Sequence, residues 1–253
     1  MQTDWSMLKD AHGSAAGIPE LLDRFEADPQ EAWAELMDRL CPRLDTVFSA
    51  SFAALSRLVA IAAAREPADR PWVLIAAGPI VACMRRSPEG DTACAVWAEE
   101  IAELARLTAP CLRLSLEPEE YIFLLQAALS FQGVAVWDER LDHLAEGEYE
   151  VDCPYCGMSL FIVLGAQGFF SCDDDYASTH VVRAPLRPVG AEDLQGPGRR
   201  LYEEAASAGQ HMVAHRLTHL FGRATCTGCG TLFSVADRVA APRPSLPGRV
   251  RPA

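Results

Sequence analysis

The chain has 253 residues, 50% of them hydrophobic, and carries 22 basic against 35 acidic side chains for a formal net charge of −13. That length allows one large domain or two small ones with a real core. The acidic balance argues against a protein whose main task is to grip phosphate, whether in nucleic acid or on an anionic membrane. The excess is unevenly spread: residues 1–148 hold 12 basic and 25 acidic side chains, a difference of −13, whereas residues 149–253 hold 10 of each. Of the basic residues only Lys9 is a lysine, a bias that reads as genome composition. The longest apolar run, Pro71 to Met84, is interrupted by Gly78-Pro79 and falls short of the roughly 18–20 residues a membrane helix needs. Met1-Gln2-Thr3-Asp4 lacks a basic segment leading into an apolar one, so no secretory signal is expected. The 9 cysteines form two CxxC pairs and five scattered singles, a pattern that fits a reducing, cytoplasmic location better than a disulfide framework.

Residues 1–17 are short, polar and glycine-bearing, and a loosely ordered start is expected. From Pro19 to Leu144 the pattern is helical. Asp45 can cap a helix that buries Phe52, Leu55, Val59 and Ala62. Asp69 with Pro71 starts the next, through Trp72 to about Met84. Asp91 starts a third with Trp97, Ile101, Leu104 and Thr108 on one face, and Pro118-Glu119-Glu120 opens a fourth that Gly133 stops. Val134 to Leu144 suggests one more short helix.

Two of these segments resemble each other. Ser51 to Ile61 aligns with Trp97 to Leu107 at an offset of 46, matching Leu55 with Ile101, Leu58 with Leu104 and Ile61 with Leu107. The helices that follow align Leu74-Ile75-Ala76-Ala77 with Leu124-Leu125-Gln126-Ala127 at an offset of 50. A period of about 40–50 residues built from two helices is the pattern of a HEAT-like hairpin array. A plain helical bundle would give a similar pattern, and the sequence leaves both open.

At about Glu148 the texture changes. Phe161 to Leu164, Gly168 to Ser171 and Val181-Val182 read as strands, residues 185–198 as a proline- and glycine-rich loop, and Arg199 to Leu220 as one helix ended by Gly222. Residues 238–253 hold four prolines, four arginines and no acid, the composition of a disordered basic tail. The expected organisation is therefore an acidic α-helical, HEAT-like domain over residues 1–148 and a small β zinc-ribbon module over 149–237 that carries an inserted helix at 199–220. The tail over 238–253 follows.

The strongest chemical signal is Cys153-Pro154-Tyr155-Cys156-Gly157 and Cys226-Thr227-Gly228-Cys229-Gly230, each followed by an apolar strand-like run. Two thiolates two residues apart in a tight turn can hold one ion, and the glycine after the second supplies the positive φ such a knuckle needs. Two knuckles give four sulfurs, the closed tetrahedral set that zinc takes in structural sites. The 69 residues between Cys156 and Cys226 exceed the spacing of about 15–20 in compact ribbons, so residues 185–220 read as an insertion. A redox CxxC would place a helix directly after its first cysteine, and strands follow here.

The remaining candidates take plainer readings. Cys172 reads as a buried thiol, Asp173-Asp174-Asp175 as a solvated turn without the spacing of a calcium loop, and Cys41, Cys83, Cys94 and Cys111 as unpaired core residues. His211, His215 and His219 recur every four residues. Val213, Leu217 and Leu220 lie opposite, so the histidines are expected to face solvent or a partner, without a metal. No nucleotide-loop or nucleophile-elbow motif occurs, and no catalytic residue is assigned.

Thr46 to Leu58 resembles the helix pattern of bacterial HEAT-like proteins, with Ser56 where the pattern has proline, and Tyr121 to Gly133 followed by Cys153 to Gly157 is similar to members that append a zinc ribbon. The resemblance covers about residues 30–235. It implies a non-enzymatic binding role of the toxin-immunity or partner-binding type, directed at a protein partner, with no catalytic residues to carry over. An acidic helical surface suits a basic protein partner. The alternative expectation is a nucleic-acid-associated zinc-ribbon factor that uses Arg238, Arg243, Arg249 and Arg251 on phosphate.

Overall fold

Prolines, capping oxygens and small apolar residues decide where the helices of the N-terminal part begin and how closely they approach. The computed structural model describes residues 3–88, 90–176 and 180–241, and divides into two units, Met1–Ala145 with Ala206–Gln210 and Glu146–Ala205 with His211–Ala253. The chain is mainly helical, with two small antiparallel sheets in the second unit. Among the described residues no helix is long and apolar enough to cross a membrane.

The first unit holds α1 (Ile18–Ala27), α2 (Pro29–Leu40), α3 (Ser49–Ala63), α4 (Pro71–Arg86), α5 (Gly90–Val96), α6 (Ala98–Cys111), α7 (Pro118–Gln132), α8 (Trp137–Arg140) and α9 (His143–Glu146). Proline occupies the first turn of α1, α2, α4 and α7, where its missing N–H costs nothing. The Asp28 carboxylate caps α2 by accepting from the Glu31 N–H at 3.1 Å. Gly133, at φ +70°, closes α7.

Several helix limits differ from the sequence expectation. Asp45 does not cap α3, because Pro42–Leu44 forms a 3₁₀ turn in which Arg43 and Leu44 take positive φ. The helix starts at Ser49, where the Ser51 hydroxyl accepts from the Phe48 N–H at 2.8 Å. Its buried face is Ala50, Ala54, Leu55, Leu58, Ile61 and Ala62, with Phe52 and Val59 on the flank, because small residues let neighbouring helices come close. The helix expected from Asp91 breaks at Trp97 into α5 and α6, and the one expected over 134–144 is two short turns.

Packing within this unit pairs α3 with α4 and α6 with α7, while α3 also lies against α6 and α4 against α7. The three matched positions of the two similar helices are buried in both copies. The α4–α7 contact is the tightest: a Cβ added to Gly78 would lie 2.7 Å from the Ala127 Cβ, so only glycine admits this crossing.

The arginines have a structural task that composition does not reveal. Arg85 donates from Nε to the Ser130 carbonyl and from Nη2 to the Phe131 carbonyl, both at 3.0 Å, clamping the last turn of α7. Arg70 Nε donates to the carbonyls of Ala62 and Arg65 at the end of α3, and Arg65 donates to the Glu26 carbonyl at the end of α1. Cations at helix C-termini satisfy orphan carbonyls and oppose the negative end of the dipole. The forked guanidinium reaches two acceptors at once, which a lysine ammonium does less well.

The N-terminal segment is pinned where a loose start was expected. Ser14 and Asp4 cap short 3₁₀ turns, and Ala50 N–H donates to the Lys9 carbonyl at 3.0 Å. The fully buried Asp10 carboxylate accepts from Arg39 Nε at 2.7 Å and from the His12 N–H at 2.9 Å.

In the second unit β1 (Glu148–Asp152), β2 (Ser159–Gly165), β3 (Gly168–Cys172) and β4 (Ala184–Pro185) form one antiparallel sheet in that order, and β5 (Arg223–Thr225) pairs antiparallel with β6 (Leu232–Ser234). Val181-Val182 is not a strand: the fourth strand lies two residues later, and Val182 is exposed. The expected 199–220 helix is two, α10 (Gly196–Ser207) and α11 (His211–Leu220), separated by Gly209 at φ +74°. A last helix, α12 (Val235–Ala240), takes in Arg238, whose Nε donates to the Asp152 carbonyl at 3.1 Å, so this arginine belongs to the folded unit and not to a tail. Arg243, Arg249 and Arg251 lie outside the described residues.

One prediction concerns the N-terminal clamp. Arg39→Ala strands the buried Asp10 carboxylate, and breaking such a pair costs about 3–5 kcal/mol. Chemical denaturation is expected to show a loss of that order, and a change below about 1 kcal/mol would refute the clamp.

Candidate metal centre

The two CxxCG motifs fold into the same turn. In the first, Cys153 N–H donates to the Met158 carbonyl at 2.8 Å and Gly157 N–H donates to the Cys153 carbonyl at 3.0 Å. In the second, Cys226 N–H donates to the Thr231 carbonyl and Gly230 N–H to the Cys226 carbonyl, both at 2.9 Å. Gly157 and Gly230 sit at φ +74° and +72° with open space around each α-carbon, so the requirement for glycine is the backbone angle and not room.

These turns bring Cys153, Cys156, Cys226 and Cys229 together, with one sulfur of each lying within 4.8 Å of all the others. The Cys153 and Cys229 sulfurs are 3.8 Å apart and those of Cys156 and Cys226 3.6 Å. A tetrahedral thiolate site with metal–sulfur bonds of about 2.3 Å has sulfur–sulfur edges of about 3.8 Å, so the spacing fits a four-coordinate ion. Cys153 and Cys226 are buried while Cys156 and Cys229 reach the surface.

The two surface thiols of the set differ. The hydroxyl and backbone N–H of Thr231 lower the Cys229 thiol to about 6, with further help from Cys156 and Cys226. The backbone at Met158 works in the same sense on Cys156, but burial and the three neighbouring sulfurs prevail and push it up to about 12. A bound cation is the agent that would let every sulfur act as a thiolate.

Three contacts hold the knuckles in register. The Ser171 hydroxyl on β3 donates to the Thr225 carbonyl at 2.7 Å, just before Cys226. Arg187 and Arg223 exchange backbone hydrogen bonds at 2.9 Å in both directions, joining the chain before α10 to the chain after α11. Met158 packs across Gly228, with its Cε 2.5 Å from where a Cβ would stand. The two helices are thus inserted between Arg187 and Arg223, whose pairing closes the insertion at its base.

The other candidate residues fall elsewhere. Cys172 is wholly buried with Val163 and Phe170 on the sheet face opposite α11, and Asp173, Asp174 and Asp175 are exposed. His211 and His215 are exposed, but His219 is buried, contrary to expectation, because its ring stacks on Phe169 of β3 at 4.0 Å. The metal-ligating group found among the described residues contains no histidine.

Sequence reasoning missed one pair: Cys41 and Cys83, treated as separate core residues, place their sulfurs 3.8 Å apart in the helical unit. They share a proton, which raises Cys41 and lowers Cys83, and Arg86 Nη2 stands 3.5 Å from the Cys83 sulfur. No motif could have paired them, since one follows α2 and the other lies inside α4.

No family model, curated protein sequence or solved structure matches the chain.

Two predictions follow from this geometry. Cys153→Ser or Cys226→Ser removes one of four ligands. Metal binding by such sites is worth about 10–16 kcal/mol, so either change, or a strong chelator, should abolish metal retention and melt the β unit. Unchanged metal content and melting in both variants would refute the four-sulfur site. His219 supplies the second. Burial holds its imidazole below the ordinary value of about 6.5, and the nearby charge of His215 acts in the same sense against a hydrogen bond to the His215 carbonyl. The unfolded chain therefore takes up the proton first. The contribution of the neutral ring is intact above pH of about 6.5 and is lost as pH falls from there toward the depressed folded value. NMR titration should give a lower midpoint for His219 in the native protein than in urea, and equal midpoints would sink the assignment.

Proposed function

We propose that the protein is a non-enzymatic binding protein of the immunity or adaptor type, which uses the acidic surface of its helical unit to engage a basic protein. In this reading the ion at the four cysteines is zinc, and its role is structural. Four sulfurs leave no open coordination position, and zinc favours this ligand set. A HEAT-like array is supported by the stacking of α3 on α6 and α4 on α7 and by the burial of the matched positions in both helices.

The observation that carries the reading is the acidic face of the first helical hairpin. Glu20, Asp23, Asp28, Glu31, Glu35 and Asp38 are all exposed on the segment from α1 to α2. Arg24 pairs with Glu35 at 2.8 Å, Arg57 with Asp23 at 3.1 Å and His12 with Asp38 at 3.0 Å, while Arg39 is committed to Asp10, which leaves Glu20, Asp28 and Glu31 without a basic partner among the described residues. Fields of one sign steer a partner of the other sign and add specificity through complementarity. On the nucleic-acid alternative, the second unit offers no comparable excess of positive charge, and Arg238 is occupied by the Asp152 carbonyl.

The test uses the full chain immobilised at low ionic strength. Basic proteins from its own cell should be retained at about 50 mM salt and released by about 500 mM, where screening shortens to a few ångströms. Replacing Glu20 and Glu31, which have no basic partner, by lysine should weaken retention at least tenfold without changing thermal stability by more than about 1 kcal/mol, as expected of exposed sites. Retention of DNA or RNA in place of protein would decide for the alternative.

A further inference from the structure

A cleft of about 410 Å³ lies wholly within the helical unit, walled by Trp33 of α2, Trp72, Ile75 and Pro79 of α4 and Phe123 of α7. Its volume falls in the range of about 300–1,000 Å³ typical of small-molecule sites, which are apolar with a few convergent polar groups. Trp33 and Trp72 meet edge to face with ring centroids 6.4 Å apart, and Phe123 is left 38% exposed. Glu117, Glu119 and Glu120 stand at its mouth.

The start of α7 explains why glutamates occur at this point in the chain, since carboxylates favour a helix N-terminus. It does not explain why they border aromatic walls, nor why no arginine answers them. Elsewhere in this unit Arg24 meets Glu35, Arg57 meets Asp23 and Glu26, and Arg106 meets Glu103. Among the described residues no basic side chain pairs with Glu117, Glu119 or Glu120. Burial raises the Glu120 carboxyl, and the charge of Glu117 raises it further, a repulsion that a cation between them would relieve.

Aromatic faces attract cations through their quadrupoles, and most strongly where carboxylates stand nearby and water is thinned.

We propose that this cleft binds a small organic cation, an ammonium or quaternary ammonium group on an apolar stem. The cationic head lies against the aromatic faces at the glutamate mouth, and the stem lies along the apolar wall. The site is separate from the acidic surface of α1 and α2 and does not depend on a protein partner.

The test is a titration of the full-length protein with 2-phenoxyethyl-trimethylammonium, read by calorimetry and tryptophan fluorescence. The neutral 3,3-dimethylbutyl phenyl ether, which has carbon in place of the ammonium nitrogen, serves as the control of like shape. The cation should bind at least tenfold more tightly than the neutral compound, and the combined change Glu117→Gln, Glu119→Gln, Glu120→Gln should remove that advantage. Equal binding of the two compounds by the unaltered protein, no binding of either, or full affinity in the glutamine variant would overturn the cation site. The comparison of compounds on the unaltered protein needs no variant to fold.

Discussion

The β unit depends on closing two distant knuckles onto one point. Cys156 and Cys226 are separated by 69 residues, and an open loop of that length resists closure by an entropy that grows as its logarithm. Shorter-range contacts share the closure with the sulfurs. Antiparallel pairing of β2 with β3 and the bond from the Ser171 hydroxyl to the Thr225 carbonyl hold the two halves together. The exchanged hydrogen bonds of Arg187 and Arg223 close the inserted helices at their base, so the insertion is carried without loosening the site. Cys156 and Cys229 are driven in opposite directions although each knuckle keeps the same backbone, because Thr231 adds a hydroxyl bond to the Cys229 sulfur while the hydrogen bonds shared among the sulfurs leave the proton on Cys156.

The knuckles were legible because everything that builds them lies within six residues: two cysteines, the glycine at positive φ and the carbonyl five residues on. The helix starts at Pro71 and Pro118 were legible for the same reason, since proline acts on its own turn. Other features were written in the sequence and needed a different reading. Glu148-Tyr149-Glu150-Val151-Asp152 alternates as a strand does, and Tyr149 and Val151 are the buried positions of β1. Gly209, at positive φ, was a sufficient reason to divide α10 from α11.

What could not be read locally came from long-range packing. No periodicity within α11 reports that Phe169 of β3 covers the flank carrying His219, and so its burial was missed. In α3 the bulky residues Phe52 and Val59 dominated the pattern, whereas the close contacts favour the alanines at positions 50 and 54 beside the expected Leu55 and Ala62. The Cys41–Cys83 approach depends on how α2 and α4 meet, a relation spread over more than forty residues.

Net charge alone understates how acidic the surface of the helical unit is. Four of its twelve basic residues are spent inward. Arg85 is fixed to the end of α7, Arg70 to the end of α3, Arg65 to the end of α1 and Arg39 to the buried Asp10. A cation held against carbonyls and helix termini contributes little to the field outside, because its charge is already answered by dipoles at close range. Glu20 and Glu31 of α1 and α2 have no basic partner among the described residues, and neither have the glutamates at the mouth of the Trp33–Trp72 cleft. The strong preference for arginine over lysine is therefore part of the architecture. The planar fork lets one side chain hold two carbonyls, and this use of the cations leaves a surface whose recognition chemistry is set by carboxylates.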